Sequence, residues 1–515
     1  MKKSILLAVL ICLQFSTLAY SQSNTIIVNA DQAEYRISRH IYGQFAEHLG
    51  RGVYGGIWVG EDSDIPNTEG YRTDVLNALR ELEIPNIRWP GGCFADEYDW
   101  RDGIGPRSER PKTVNTHWGM VIEDNSFGTH EFLRLTELLG AEPYISANVG
   151  SGTPADMQDW IEYMTFDGDS KLANLRRKNG REEPWKIKFF GIGNESWGCG
   201  GNMTAEYYAN LYRRYQTYAK DYSGNELYKI ASGWSNDRYG WTETLMREAG
   251  WLMDALSLHY YTIAGPSWDD KGPSVNFGED LYFSGISKAL RLDRYIEGHS
   301  TIMDKYDPEK RVALAVDEWG IWTDPLPDTN RGFLEQQNSI RDALIAAVSL
   351  DILNSHADRV KIANIAQMVN VLQAMILTRE EEMIKTPTYH VFHMYKPHMD
   401  AMLLPIYRDV SKYSHNGESI PAISATVSRD STGKIHITAS NVDPDDEKQV
   451  IFDIRGSEVS EILSGRVLTA DKINAVNTFS EPDNVAPVPF DEARLQNGKL
   501  TLTLPSKSVV ALSIE

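Results

Sequence analysis

At 515 residues with 42% hydrophobic content, the chain can bury at least one large core and has the length for two or three domains, which excludes a disordered protein. Its formal net charge of −21 disfavours nucleic acid and anionic lipid, because phosphate binding needs a basic face; neutral ligands fit better. Thirteen Trp and 25 Tyr supply flat apolar rings, which serve cores and the C–H faces of sugars alike.

Residues 1–21 read as a secretory signal. Lys2-Lys3 form a positive start, Ile5 to Ile11 an apolar stretch, and Ala19-Tyr20-Ser21 a small-x-small cleavage pattern before Gln22. The apolar stretch is too short for a comfortable membrane span, so the pattern predicts export to the periplasm or beyond, with cleavage after Ser21. Lipidation at Cys12 and a retained anchor are the lesser alternatives. Cleavage would leave Cys93 and Cys199, too few for a disulfide framework, and whether they pair stays open. No later segment is long and apolar enough to predict membrane insertion.

Residues 22–39 contain a strand-like run, Thr25 to Val28, that precedes a repeating pattern. Between residues 40 and 396, eight short apolar or β-branched runs end near Phe45, Trp89, Asn148, Asn194, Trp234, Tyr260, Trp319 and Gln367. Helical stretches separate them. Thr73 to Leu82 puts Val75, Leu76, Leu79 and Leu82 on one side, and Thr153-Pro154 is an N-cap followed by proline at the first helical position. Eight strand-helix units predict an α/β fold of the closed (β/α)8 TIM barrel type, with a doubly wound open sheet as the alternative. From about residue 397 to 515 the pattern changes to alternating runs such as Ile435 to Thr438, Val450 to Ile454 and Leu500 to Leu504. These predict a C-terminal β-sandwich, jelly-roll-like, which the early strand could join.

Two apolar runs end on glutamates: Phe189-Phe190-Gly191-Ile192-Gly193-Asn194-Glu195 and Val312-Ala313-Leu314-Ala315-Val316-Asp317-Glu318. Barrel active sites lie at the C-terminal ends of strands, and these follow the fourth and seventh. Sugar cleavage needs such a pair, one carboxyl protonated to assist the departing oxygen and one ionised to attack or to activate water. Either glutamate alone would read as a solvated loop acid or a helix cap.

The strings Tyr42 to Gly50 (YGQFAEHLG), Arg88-Trp89-Pro90-Gly91-Gly92, Gly193-Asn194-Glu195 and Asp317-Glu318-Trp319 resemble glycoside hydrolase family 51. The similarity runs from about residue 40 to Gln367-Met368-Val369-Asn370-Val371, nearly the whole barrel. It implies an exo-acting α-L-arabinofuranosidase that works by retaining double displacement, with Glu195 as acid/base and Glu318 as nucleophile. It further implies sugar contacts from Glu47, Asn194 and Gln367, a pocket wall at Trp118, and a Tyr261 hydroxyl orienting Glu318. His259 shares a face with Tyr261 at the end of the sixth strand. Cys93 stands where many relatives have Asn, a weaker hydrogen-bonding group at a pocket-wall position, with no paired base to make it a catalytic thiol.

The implied substrates are arabinose-containing plant polysaccharides (arabinoxylan, arabinan) or their oligosaccharides. Some family members form hexamers or other multimers, which leaves a homo-oligomer open. Two carboxylates need no cofactor. His390 and His393 lack the further ligands of a metal site, and Gly191-x-Gly193 lacks the third glycine of a dinucleotide fingerprint. The alternatives are an endo-β-glycanase of the same barrel clan and a carbohydrate-binding protein without catalysis.

Overall fold

The computed structural model describes residues 24–515; the expected signal segment, residues 1–21, lies outside them. Eight parallel strands close a barrel: β2 (Gly43–Phe45), β3 (Asn86–Trp89), β4 (Glu142–Ala147), β5 (Phe189–Ile192), β6 (Tyr228–Ala231), β7 (Ala255–Thr262), β8 (Ala313–Ile321) and β9 (Val360–Ile365). Pairing of Asn364 with Gly43 and of Ile365 with Gln44 shuts the ring, which rules out the open sheet. Each strand falls on one of the eight apolar runs, as expected for strands buried on both faces. The strands β7 and β8 extend further than the sequence suggests. They keep pairing past the rim, through Tyr261↔Gly320 to Thr262↔Ile321.

Tyr144, Phe189, Ile230, Ala255, Ala313, Ala315 and Ile362 fill the barrel interior with a packed plug. These residues belong mainly to the N-terminal halves of their strands, which leaves the C-terminal mouth for polar groups. The helix α1 (Thr73–Leu82) buries Val75, Leu76, Leu79 and Leu82 as its spacing requires. In α2 (Pro154–Thr165), the Thr153 hydroxyl accepts from the Asp156 amide and the Asp156 carboxylate accepts from the Thr153 amide, a reciprocal cap.

A third helix, α3 (Ile340–Ser355), is buried on every side through Asn354 because it lies between the barrel and a second layer. That layer comprises two sheets. One runs β11 (Ile406–Asp409), β1 (Asn24–Asn29), β14 (Lys448–Arg455), β18 (Lys499–Leu504), β17 (Ala493–Gln496), and the other β10 (Met402–Leu403), β12 (Ile423–Arg429), β13 (Ile435–Asn441), β19 (Ser508–Ile514), β15 (Ile462–Leu468), β16 (Val488–Pro489). Pairing is antiparallel except between β1 and β14. Asn354 bonds Tyr42 of the barrel and Thr426 of the sandwich, while Asp351 accepts from Ser424 and Thr426, so polar bonds fasten the seam. Among the described residues, no helix is long and apolar enough to cross a membrane.

Candidate active site

Glu195 lies just past the end of β5 and Glu318 within β8, and both line one cavity of about 430 Å³ with Glu47, Cys93, Trp118, His259, Tyr261 and Gln367. One carboxylate oxygen from each glutamate lies within 4.8 Å of the other, with His259 between them. Trp197, Ser235, Asn236, Trp268, Trp322 and Leu334 also line this cavity, and the sequence reading assigned none of them. A larger cavity, about 550 Å³, lies at the seam of α3 and the sandwich around Asp351 and Arg408, and neither glutamate lines it.

The two carboxylates have different surroundings. Glu318 accepts from Arg88 Nη1 at 2.7 Å and from the Tyr261 hydroxyl at 2.9 Å. The Arg88 side chain is buried, and its Nε faces Asp317 at 3.7 Å. Burial works against charge on Arg88, but Glu318 and Asp317 outweigh it and hold the guanidinium firmly protonated. Asp317 accepts from Tyr144 and Ser257. Burial alone would raise its pKa; Arg88 and His259 reverse that and hold it well below the usual carboxylate range.

Glu195 is the more open of the pair, with 19% of its side chain exposed against 7% for Glu318. Its Oε1 lies 2.9 Å from His259 Nδ1, while His259 Nε2 faces Asp317 at 3.4 Å. Burial pushes the imidazole pKa down, but Glu318, Asp317 and Glu195 together push it up to about 10, so the ring carries both protons at neutral pH.

Glu47, buried beyond β2, gathers much of the remaining wall. It accepts from the Gly92 and Phe94 amides, from Trp118 Nε1 at 2.9 Å and from Gln367 Nε2 at 3.0 Å. Burial and the neighbouring Glu318 push its pKa up to about 7 against those donors. Gln367 Oε1 is buried without a hydrogen-bond partner. Asn194 is buried beside the cavity, its Oδ1 receiving Arg88 Nη2 at 2.5 Å. A β-carbon on Gly92 would come within 2.8 Å of Glu318 Oε1, so a side chain there would press on the Glu318 carboxylate.

Cys93 and Cys199, left open by counting, form a disulfide with Cα atoms 5.5 Å apart, and Cys93 reaches the cavity wall in that form. Sequence reasoning also missed Arg88, Asp317 and Asp96. The first two carry a signal, since a charge inside an apolar strand run must be buried and therefore paired. Among the described residues, the groups able to hold a metal ion are Cys93 with Glu195 and Cys199, and Glu195 with His259 and Glu318; the former is engaged by the disulfide.

Comparison with known proteins agrees with this geometry. Two family models match, the α-L-arabinofuranosidase 1 domain over residues 78–266 and the α-L-arabinofuranosidase C-terminal domain over residues 317–508. A Bacteroides ovatus protein named intracellular exo-α-L-arabinofuranosidase is 53% identical over 516 residues, covering 100% of both chains. Among solved structures, the family 51 arabinofuranosidase of Xanthomonas axonopodis pv. citri is 51% identical with a TM-score of 0.94, over 96% of this chain and 100% of that one. The Thermotoga maritima α-L-arabinofuranosidase, solved as an arabinose complex, is 32% identical with a TM-score of 0.83, again over 96% and 100%.

The Bacteroides relative corrects one expectation. It matches along the whole chain and is named intracellular, which overturns the reading of residues 1–21 as a signal peptide and of the protein as periplasmic or extracellular. A lysine pair before a short apolar stretch is a compositional pattern alone, with no packing or pairing partner to test it. Matched domain models, full-length relatives and a barrel with two glutamates at its mouth lead to one assignment: the chain is a glycoside hydrolase and belongs to the α-L-arabinofuranosidases of glycoside hydrolase family 51.

Proposed function

We propose that the protein is a retaining, exo-acting α-L-arabinofuranosidase that releases arabinofuranose side chains from arabinoxylan, arabinan or derived oligosaccharides. The observation that carries this is the approach of the Glu195 and Glu318 carboxylates to within 4.8 Å, the narrow spacing of enzymes in which the second carboxylate attacks the sugar itself. Inverting enzymes hold their carboxyl groups further apart to admit a water molecule.

Glu318 is the nucleophile. Arg88 and Tyr261 donate to it and fix its direction of attack on the anomeric carbon. Glu195 is the acid/base. The Glu195–His259 pair holds the proton given to the departing oxygen, and after departure Glu195 takes a proton from the water that releases the sugar. Glu47, Gln367 and Trp118, linked to one another by hydrogen bonds at the cavity wall, hold the terminal sugar. The exo mode is supported by the printed name of the Bacteroides relative and by the modest cavity volume, about 430 Å³.

Proton NMR during the first turnovers of an aryl α-L-arabinofuranoside provides the test. The α-anomer of arabinose should appear first and mutarotate later. Initial release of the β-anomer would reject double displacement, and cleavage of aryl β-glucosides without cleavage of the arabinofuranoside would reject the substrate.

A further inference from the structure

The 3-10 turn Cys93–Asp96, just after β3, grips the segment that carries Glu195 at both ends. At the near end, Asp96 Oδ2 accepts the Asn194 amide at 3.1 Å, and its Oδ1 accepts the Val149 and Gly150 amides, both at 2.8 Å. At the far end, Cys93 is bonded to Cys199. Between these fastenings Glu195 has φ +38°, in the left-handed region that side chains with a β-carbon avoid unless their surroundings impose it. Cys199 Sγ stands 3.7 Å from Glu195 Oε2 and lines the same cavity.

We propose that the Cys93–Cys199 bridge is a positioning element for Glu195, and that its opening by a small dithiol selectively weakens protonation of the leaving group. The inference rests on the assignment of Glu195 as acid/base. Both cysteines are partly exposed at the cavity wall, within reach of a small reductant. One thiolate of the dithiol attacks a bridge sulfur, the S–S bond breaks to give a mixed disulfide, and the second thiol closes a ring on the reagent. Two electrons and two protons thereby pass to the protein, leaving Cys93 and Cys199 as thiols.

Opening changes two things at Glu195. The far end of its segment loses its covalent tie to the 3-10 turn, so the left-handed backbone is held by Asp96 and by hydrogen bonds alone, among them those from the Gly198 and Gly200 amides to the Glu195 carbonyl. The hydrogen-bonding sense at Oε2 also reverses. A bridged sulfur offers only lone pairs, which can accept a proton from a carboxylic acid; a free Cys199 thiol donates, and so favours the carboxylate. The other titratable groups facing Glu195 are His259 and Tyr261 from β7 and Glu318 from β8, and none of them changes with redox state.

The experiment compares kcat/KM for methyl α-L-arabinofuranoside, whose leaving group needs a proton, with that for the 2,4-dinitrophenyl glycoside, whose leaving group does not. Both are measured before and after dithiothreitol, with thiols counted by a chromogenic disulfide and the fold followed by circular dichroism. Two thiols should appear while the methyl glycoside loses roughly tenfold or more and the dinitrophenyl glycoside less than about twofold. The alkaline limb of the methyl profile should move to lower pH, and reoxidation should restore both. The double variant Cys93→Ala/Cys199→Ala should show the reduced ratio without reductant and ignore dithiothreitol; the wild-type comparison stands whether or not that variant folds. Equal losses on both substrates, or an unchanged ratio once both thiols are free, would overturn the proposal. Two free thiols in the untreated protein would do the same. If the untreated protein cleaves neither glycoside, the arabinofuranosidase reading fails and this inference fails with it.

Discussion

The two walls of the cavity are built on opposite plans. Glu318 lies within a long strand that pairs with β7 on both sides of it, and a buried arginine and a tyrosine hydroxyl hold its side chain. Glu195 sits past the end of a four-residue strand in an unfavourable backbone conformation, held by a disulfide and a buried aspartate from a neighbouring turn. The first plan fixes a side chain against a buried charge, and the second fixes a backbone while leaving the carboxyl more exposed. That division suits the roles proposed for them, Glu318 as nucleophile and Glu195 as acid/base.

The largest expected effect comes from breaking the fixed-charge wall. Glu318→Gln should lower kcat/KM by at least about 10⁴-fold on every arabinofuranoside, whatever its leaving group. The other wall should fail selectively. Glu195→Ala should cost about 10²- to 10³-fold on poor leaving groups and far less on activated ones. Added azide should then yield the α-configured glycosyl azide, seen by NMR, because an external anion can replace the water that Glu195 would activate. Equal losses across leaving groups would erase the contrast between the walls.

Removing the cation beneath Glu318 tests stability. Arg88→Met leaves Glu318 and Asp317 without their buried partner and should cost about 3–5 kcal/mol in urea denaturation. A smaller effect concerns His259, whose pKa rises from 6.5 to about 10 on folding because Glu318, Asp317 and Glu195 outweigh its burial. A pKa raised by folding stabilises fully below the unfolded value and is lost as pH climbs through the folded one. The Tm advantage of the wild type over His259→Asn should therefore be greatest below about pH 6.5 and shrink towards pH 10. A gap that widened over that range would show that the ring is neutral when buried.

The barrel could be read from the sequence because its strands are covered on both faces and appear as short, mainly apolar runs. Runs of this kind do not reveal where pairing stops, so the extensions of β7 to Thr262 and of β8 to Ile321 emerged only with the structure. Glu195 and Glu318 were visible because each follows such a run directly. Arg88 and Asp317 lay inside quoted motifs yet went unassigned, although charges in apolar runs imply partners. Asp96 was less accessible still: it accepts three backbone amides, which leave no trace in side-chain spelling. The pairing of Cys93 with Cys199, 106 residues apart, depends on β3 and β5 flanking β4, so that the segments after them meet at the barrel mouth.

The strand β1 has a consequence for how the protein is made. Its neighbours are β11, which begins at Ile406, and β14, and its Asn24 bonds Gln449, 425 residues later, so this early segment waits until the barrel has been made before it can pair. The whole barrel must be synthesised in the interval, with Ile26 and Val28 uncovered on a strand whose edges are open. Completion of the sandwich is thus a post-translational event, and the nascent amino terminus is where a chaperone or another unfinished chain competes for the same edge.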